Sequence, residues 1–155
     1  MKRREGKMTE EIGRFTFCVA AILEKPDEKI LLVKRSPDNF PGNIWDIVGG
    51  RKEQLENPFT ALTREIAEET GITDFEIVKT ISDFYWFQTE ASRDMVGIAF
   101  WCKTNQTEIK LSEEHTEYLW VEPTTALEMA SHQIVVRCIT KFLEEKKRIG
   151  LDKKK

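Results

Sequence analysis

The stretch from Gly50 to Ile72 constrains this chain more than any other part of it. Asn57 and Pro58 predict the start of a helix, because Asn caps helix N-termini well and Pro suits the first helical position. Gly71 predicts its end, since glycine readily takes the left-handed conformation that follows a last helical turn. The apolar residues between these ends recur at spacings of three and four, which predicts one buried face: Phe59, Leu62 and Ile66.

Three glutamates crowd a second face of this predicted helix. Glu65, Glu68 and Glu69 stand at i, i+3 and i+4, so their carboxylates are neighbours. Like charges at these spacings cost about 0.2–0.5 kcal/mol per pair, and the helix dipole disfavours anions in the last turns. A bound divalent cation resolves the conflict, because Mg2+ and Mn2+ prefer carboxylate oxygens and complete their shells with water and phosphate oxygens. The alternative is a solvated acidic face without a metal.

The residues around the helix also follow a longer spaced pattern. Gly50 is followed after five residues by Glu56 and after seven more by Arg64 and Glu65; the remaining positions are Ile66, Glu68, Glu69, Gly71 and Ile72. The stretch resembles the Nudix box, G-x5-E-x7-R-E-U-x-E-E-x-G-U with U aliphatic, at every specified position. The resemblance is to the Nudix hydrolases, which split nucleoside diphosphates linked to a further group X. It covers 23 residues, so it implies the fold and the chemistry rather than the substrate.

The resemblance implies a metal site that uses Mg2+ or Mn2+ as cofactor. In the family, glutamates at the positions of Glu65, Glu68 and Glu69 supply metal ligands or the base that activates water. The carbonyl of the residue before the box glycine, here Gly49, often adds a ligand. The expected reaction is in-line attack of water on a phosphorus of the diphosphate, with metal ions polarising the phosphoryl oxygens.

Other positions are expected to support catalysis. The family's arginine, here Arg64, orients the glutamates, and the residue matching Glu56 supports the loop. Some members place an extra glutamate in a later loop, for which Glu117 is the first choice and Glu114 the second, with a polar surface turn as the alternative.

Two departures from the family pattern lie in the strand and the loop before the helix. Many members carry Gly where this chain has Leu55, and Pro where it has Val48. The first places a bulky apolar residue in the box loop, and the second changes the exit from the preceding strand. Neither removes a catalytic group.

Candidate substrate-binding residues lie outside the box. Lys34 and Arg35, at the end of a predicted strand, are candidates for phosphate contacts, with an exposed strand end as the alternative. Trp86 is the candidate for base stacking, within an aromatic group that core packing also explains: Tyr85, Trp86, Phe87 and Trp101. His132 is a candidate for reading the base edge; alternatively Ser131 caps the last helix and His132 is exposed.

The substrate class follows mainly from missing signatures. ADP-ribose hydrolases often carry a proline beyond the box, where this chain has Trp86, and no convincing tyrosine of the diadenosine polyphosphate hydrolases is present. The resemblance therefore favours MutT-type hydrolysis of a (deoxy)nucleoside triphosphate, possibly an oxidised one, to the monophosphate and pyrophosphate. The alternatives are another nucleoside diphosphate derivative, such as ADP-ribose or a nucleotide sugar, and an inactive nucleotide-binding module, which would tend to lose box glutamates.

Length and charge limit the remaining classes. A chain of 155 residues suits one domain, expected over residues 13–149 with flexible termini at 1–12 and 150–155. The net charge of −3 disfavours general nucleic-acid binding, although residues 141–155 are locally basic. No apolar run reaches membrane-spanning length, and the cysteines, Cys18, Cys102 and Cys138, are predicted to be reduced core thiols. We therefore predict a cytoplasmic protein that binds a nucleotide and has no membrane partner. Whether it forms a homodimer is left open.

The order of predicted elements indicates the fold. Strands are predicted at 15–23, 30–34, 45–48, 75–87, 95–103 and 118–121, a helical turn at 123–129 and a final helix at 133–148. Strands mixed with few helices predict an α+β fold, an α/β/α sandwich around a central mixed β-sheet. The Nudix resemblance implies the same architecture.

Overall fold

The computed structural model describes residues 14–81, 84–90 and 93–153. The predicted N-terminal tail, residues 1–12, lies outside these ranges. The described residues form eight strands and three helices: β1 (Phe15–Glu24), β2 (Ile30–Arg35), β3 (Trp45–Asp46), β4 (Val48–Arg51), α1 (Pro58–Thr70), β5 (Glu76–Thr80), β6 (Tyr85–Gln88), β7 (Asp94–Lys103), β8 (His115–Val121), α2 (Pro123–Met129) and α3 (Gln133–Asp152).

The strands join in one mixed sheet built around β1. This strand pairs in parallel with β7 along its whole length, from Phe15 opposite Asp94 to Glu24 opposite Lys103. On its other edge β1 pairs antiparallel with β4 and, at its end, with β2. β2 in turn pairs with β3 and β8, while β5 and β6 pair antiparallel with β7. The predicted mixed sheet is confirmed.

Both faces of β1 are buried, which explains its almost continuous apolar sequence. Alternate residues point to opposite sides. One set packs with α1 against Leu62 and Ile66, and the other packs with α3 against Ile139 and Phe142. The sheet therefore lies between helical layers, as expected for an α/β/α sandwich.

Helix α1 begins and ends as predicted. The Asn57 side chain accepts a hydrogen bond from the Phe59 N–H at 2.8 Å, and Gly71 closes the helix at φ 74°. Leu62 and Ile66 are fully buried, whereas Phe59 in the first turn is exposed. Its ring still lies 5.7 Å from that of Phe100.

Several predicted boundaries are wrong, two of them because of strand pairing. The strand predicted at 45–48 is two strands, because β3 pairs with β2 whereas β4 pairs with β1. The strand predicted at 75–87 is likewise divided into β5 and β6, which meet different parts of β7. Helix α3 continues beyond Arg148 to Asp152, where these two side chains form an ion pair at 3.2 Å. Residues 150–152, predicted to be part of a flexible tail, thus belong to the helix.

The three cysteines agree with the prediction of core thiols. Cys18, Cys102 and Cys138 are all buried and unpaired. Burial raises the pKa of each thiol, to about 11 for Cys18 and about 12 for the other two. Within the described ranges, no helix is both long and apolar enough to cross a membrane.

Candidate active site

The C-terminal half of α1 brings its glutamates against the β4 backbone. Glu65 and Glu69 are buried, while the Glu68 side chain is largely exposed. A side chain at Gly50 would meet the Glu65 carboxyl at 2.2 Å. Glycine is therefore required at this position so that the carboxylate can pack against the strand.

Arg64 connects the acidic side chains of the box. Its Nε and Nη2 bind the two oxygens of Glu56 at 2.8 and 2.9 Å, while Nη1 reaches Glu65 at 2.8 Å and Glu68 at 3.4 Å. Nη2 also donates to the Arg51 carbonyl. The fork geometry of a guanidinium makes such a multiple contact possible. The hydrogen bonds from Arg64 lower the pKa of Glu56 to about 2.

Glu69 lies in a different electrostatic environment. Its Oε2 accepts a hydrogen bond from the Gly49 N–H at 3.1 Å. Burial raises the pKa of Glu69 to about 9; this hydrogen bond opposes the rise, and the nearby charges of Glu65 and Glu114 add to it. A buried carboxylate of this kind needs a compensating positive charge to be ionised at neutral pH.

Glu114 and His115 approach Glu69 from the start of β8. One potential ligand atom from each of the three residues lies within 4.8 Å of the other two. The Glu114 side chain is exposed, but its carbonyl is held by the Ser36 N–H at 2.8 Å and by Asn39 Nδ2 at 2.9 Å. His115 is buried, and burial lowers the pKa of its imidazole.

Glu117, the preferred later glutamate of the sequence prediction, does not join this group. It lies on β8 opposite Lys34 of β2, and the two side chains form an exposed ion pair at 2.8 Å. Glu114, the second choice, is the residue next to Glu69. The Lys34 ammonium group therefore has two partners. It forms an ion pair with Glu117, and its Nζ lies 5.7 Å from the centre of the Trp45 ring.

A cleft of about 570 Å³ opens beside the carboxylates. Its floor and walls include Gly49, Gly50 and Arg51 of β4, so the cleft and the glutamate group share one strand. Tyr85 and Phe87 supply an apolar wall with their rings 6.3 Å apart. The cleft is also lined by polar side chains, among them Arg35, Asp46 and His132.

Arg35, one of the predicted substrate contacts, lines the cleft, and hydrogen bonds hold its side chain in place. Its Nε donates to the Pro41 carbonyl at 2.8 Å, and Nη1 lies 3.4 Å from Asp46. Burial raises the pKa of Asp46, and the charge of Arg35 opposes that rise. The pair gives the cleft a hydrogen-bonding wall.

The structure differs from two other expectations. Trp86 is 55% exposed and lies outside the cleft, because successive side chains of β6 alternate and its neighbours Tyr85 and Phe87 point inward. The expectation that Ser131 caps α3 is wrong: His132 is the N-cap, and its Nδ1 accepts from the Ile134 N–H at 3.2 Å. The His132 ring also packs edge-on against Phe87, with the ring centres 5.9 Å apart. His132 therefore lines the cleft and also caps α3.

Sequence reasoning missed Arg51, Asp46 and His115. Arg51 occupies an unspecified box position, although a basic residue directly after the box glycine is a usable signal. Asp46 is an acidic residue inside an apolar strand, a second usable signal. His115 stands in a polar segment whose burial depends on strand pairing, which leaves no mark in local sequence.

The donors at this site fit a divalent cation. Carboxylates at Glu65, Glu69 and Glu114 converge from a helix and a loop, and two of the three are buried. Oxygen donors of this kind suit Mg2+ and Mn2+. This chain thus offers the carboxylates that such an ion requires.

Comparison with known proteins identifies the family. The NUDIX domain family model matches residues 14–140. The chain is 32% identical to the CTP pyrophosphohydrolase of Escherichia coli K12 over 111 residues, covering 71% of this chain and 78% of that protein. It is 37% identical to the nucleoside triphosphatase NudI of Escherichia coli K12 over 107 residues, covering 63% of this chain and 75% of that protein.

A solved structure shows the same fold. The crystal structure of a MutT protein from Methanosarcina mazei Go1 superimposes with a TM-score of 0.74 at 25% identity, covering 86% of this chain and 95% of that one. The chain thus belongs to the Nudix family. It is a hydrolase acting on nucleoside diphosphate-linked substrates.

Proposed function

We propose that this Nudix hydrolase cleaves a (deoxy)nucleoside triphosphate to the monophosphate and pyrophosphate in the presence of Mg2+ or Mn2+. The observation that carries this proposal is the shared wall of the cleft and the acidic group. Gly49 lines the cleft and donates its N–H to Glu69. A nucleotide in the cleft therefore directs its phosphates toward the carboxylates.

The residues that line the cleft offer both apolar and polar contacts. The rings of Tyr85 and Phe87 provide an apolar surface on which a base can stack. Arg35, Asp46 and His132 provide donors and acceptors for its polar edge. Arg51 also lines the cleft, next to Gly50 on β4, and its cationic side chain suits phosphate.

The carboxylates have distinct roles in this proposal. Glu65, Glu69 and Glu114 would hold the cation, together with the Gly49 carbonyl. When bound, the cation polarises phosphoryl oxygens and neutralises charge on the leaving group. Arg64 is a positioning residue, since it holds Glu65 directly and is itself held by Glu56.

Glu68 is the proposed base for the attacking water. Its side chain is the most exposed of the three helix glutamates, and Arg64 holds one of its oxygens only at 3.4 Å. The carboxylate can therefore turn toward the cleft and accept a proton from water. Attack on phosphorus then releases pyrophosphate as the leaving group.

The relatives favour a triphosphate substrate. Two of them are named as a CTP pyrophosphohydrolase and a nucleoside triphosphatase. A nucleotide panel tests this proposal directly: pyrimidine and purine triphosphates, ADP-ribose and a nucleotide sugar, each with Mg2+ or Mn2+. The expected products are nucleoside monophosphate and pyrophosphate from at least one triphosphate.

Glu69→Gln tests the proposed metal ligands within the same panel. Loss of a ligand is expected to reduce kcat/KM by at least about 100-fold, since even outer-shell changes cost about 10–100-fold. Glu144→Gln is the matched control, because Glu144 is an exposed glutamate on α3. Full activity of Glu69→Gln would contradict its role. Turnover of ADP-ribose or the nucleotide sugar alone would replace the triphosphate proposal, and no turnover at all would favour a binding module.

A further inference from the structure

His115 has a buried ring nitrogen without a partner. The residue is 8% exposed, and among the described residues nothing hydrogen-bonds to its Nδ1. A buried polar atom in this state carries a free-energy cost. Such atoms in native proteins call for an explanation, and a bound ion is one of the few available.

An irregularity in strand pairing turns His115 toward the carboxylates. In the β2–β8 ladder, Lys34 pairs with Glu117, but Arg35 pairs with His115, so Thr116 is passed over. Bulges of this kind redirect side chains and occur often beside active sites. The four residues that follow His115 on β8 are all exposed.

The resulting group is nearly at coordination distance. Ligand atoms of Glu69, Glu114 and His115 lie within 4.8 Å of one another. An octahedral ion with bonds of about 2.1 Å holds neighbouring ligands about 3 Å apart and opposite ones about 4.2 Å apart. The exposed Glu114 side chain can rotate to bring its carboxylate closer to the two buried residues.

We infer that His115 supplies an imidazole nitrogen ligand to the divalent cation held by Glu69 and Glu114. This inference rests on the metal site of the proposed function and adds a donor that the box pattern does not contain. It places one ligand of the site on β8, in addition to Glu69 on helix α1.

The mixed donor set predicts metal preference. Imidazole suits the later first-row metals better than it suits Mg2+, which prefers oxygen donors throughout. The protein is therefore expected to bind Mn2+ and Co2+ more tightly than Mg2+. Removal of the nitrogen should reduce that preference.

Electron spin-echo spectroscopy of the Mn2+-loaded full-length protein tests the ligand directly. A coordinated imidazole gives a nitrogen modulation, which changes when histidine carries the heavy nitrogen isotope. The chain has only two histidines, so His115→Gln and His132→Asn form a matched pair. His132→Asn keeps a side-chain acceptor for the α3 cap.

The expected result is a nitrogen signal in the wild type and in His132→Asn, and its loss in His115→Gln. The Mn2+ dissociation constant, followed by the signal of free Mn2+, should rise at least about 10-fold in His115→Gln. The Mg2+ constant, measured by competition, should change less than the Mn2+ constant. Unchanged thermal unfolding of metal-free His115→Gln shows that the loss is not caused by unfolding.

The outcomes separate this inference from the proposed function. Mn2+ bound at the site without nitrogen modulation overturns the role of His115 and leaves the proposed carboxylate site intact. Failure of the wild type to bind Mn2+ or Mg2+ at all contradicts the proposed metal-dependent function itself. A nitrogen signal that persists in His115→Gln and disappears in His132→Asn identifies His132 as the ligand, and this result also overturns the inference.

Discussion

Leu55 occupies a backbone conformation that favours glycine. Its φ is 63°, and its side chain is 96% exposed in the loop before α1. Many Nudix sequences have Gly here, a residue that takes this conformation without strain, whereas the side chain of Leu55 makes it costly.

Leu55→Gly is expected to stabilise the protein. The left-handed conformation costs a non-glycine residue about 1–2 kcal/mol, and the greater freedom of glycine in the unfolded chain offsets about 0.5–1 kcal/mol of this. The free energy of unfolding should therefore rise by about 0.5–1 kcal/mol, measured by urea denaturation. Leu55→Ala is the control: it removes the exposed apolar surface but keeps the strain. Equal stabilisation by both variants would show that the gain comes from removing exposed apolar surface and not from relieving backbone strain.

Glu56 gives the box loop a defined pH dependence. Its two oxygens are held by Arg64, and one also accepts the Glu53 N–H at 2.8 Å. These hydrogen bonds lower the pKa from 4.5 to about 2. Because the folded value lies below the unfolded one, the stabilisation is present above about pH 4.5 and disappears as the pH falls toward 2.

The matching prediction concerns Glu56→Gln. This variant should be less stable than the wild type at pH 7, and the difference should shrink steadily below pH 4.5. Denaturant midpoints at pH 7, 4.5 and 3 measure it. A difference that is constant across this range would show that the loop depends on the shape of the side chain and not on its charge.

Helix α3 is attached to the sheet partly through a buried charge. Glu24, at the end of β1, is 3% exposed and accepts hydrogen bonds from Lys146 Nζ at 2.7 Å and from Trp101 Nε1 at 3.2 Å. Lys146 also lies 5.4 Å from the centre of the Trp101 ring. The three side chains connect β1, β7 and α3.

Lys146→Met should therefore destabilise the fold. Removing one partner of a buried ion pair costs about 3–5 kcal/mol; since the Lys146 side chain is 25% exposed, we expect about 2–3 kcal/mol here. Lys141→Met is the control, because the ion pair of Lys141 with Glu144 is exposed, and it should change stability by less than about 0.5 kcal/mol. Adding Glu24→Gln to Lys146→Met should restore part of the loss, and no recovery would attribute the effect to packing of the lysine stem.

The elements differ in how far sequence predicts them. The α1 boundaries were predictable because Asn57, Pro58 and Gly71 act through local backbone geometry. The division of 75–87 into β5 and β6 was not, since it depends on where each segment meets β7. The same holds for the site: Glu65 and Glu69 follow from helical spacing, whereas the approach of Glu114 and His115 depends on a pairing irregularity between strands about 80 residues apart in sequence.

At the scale of the whole molecule, a cation at the site should stabilise the fold. The proposed ligands come from α1 and β8, which are separated in the chain, and ligands that bind only the folded state raise its stability. At 100 times the dissociation constant the gain is about 2.7 kcal/mol, which corresponds to a rise in Tm of about 5–10 °C for a domain of this size. Thermal unfolding with and without Mn2+ measures it. Glu69→Gln should lose most of the shift, and an equal shift in that variant would place the cation elsewhere.

The pairing of β1 with β7 also affects how the chain reaches its fold. The two strands at the centre of the sheet lie about 80 residues apart in sequence. Parallel pairing over such a separation closes a large loop. The conformational entropy of that loop is lost before the strand contacts form to compensate for it, which slows folding. During synthesis at about 5–20 residues per second, β1 leaves the ribosome roughly 4 to 16 seconds before its partner. During that interval β1 still exposes one apolar face and one unpaired edge. Other chains can associate with these surfaces until β7 and α3 cover them.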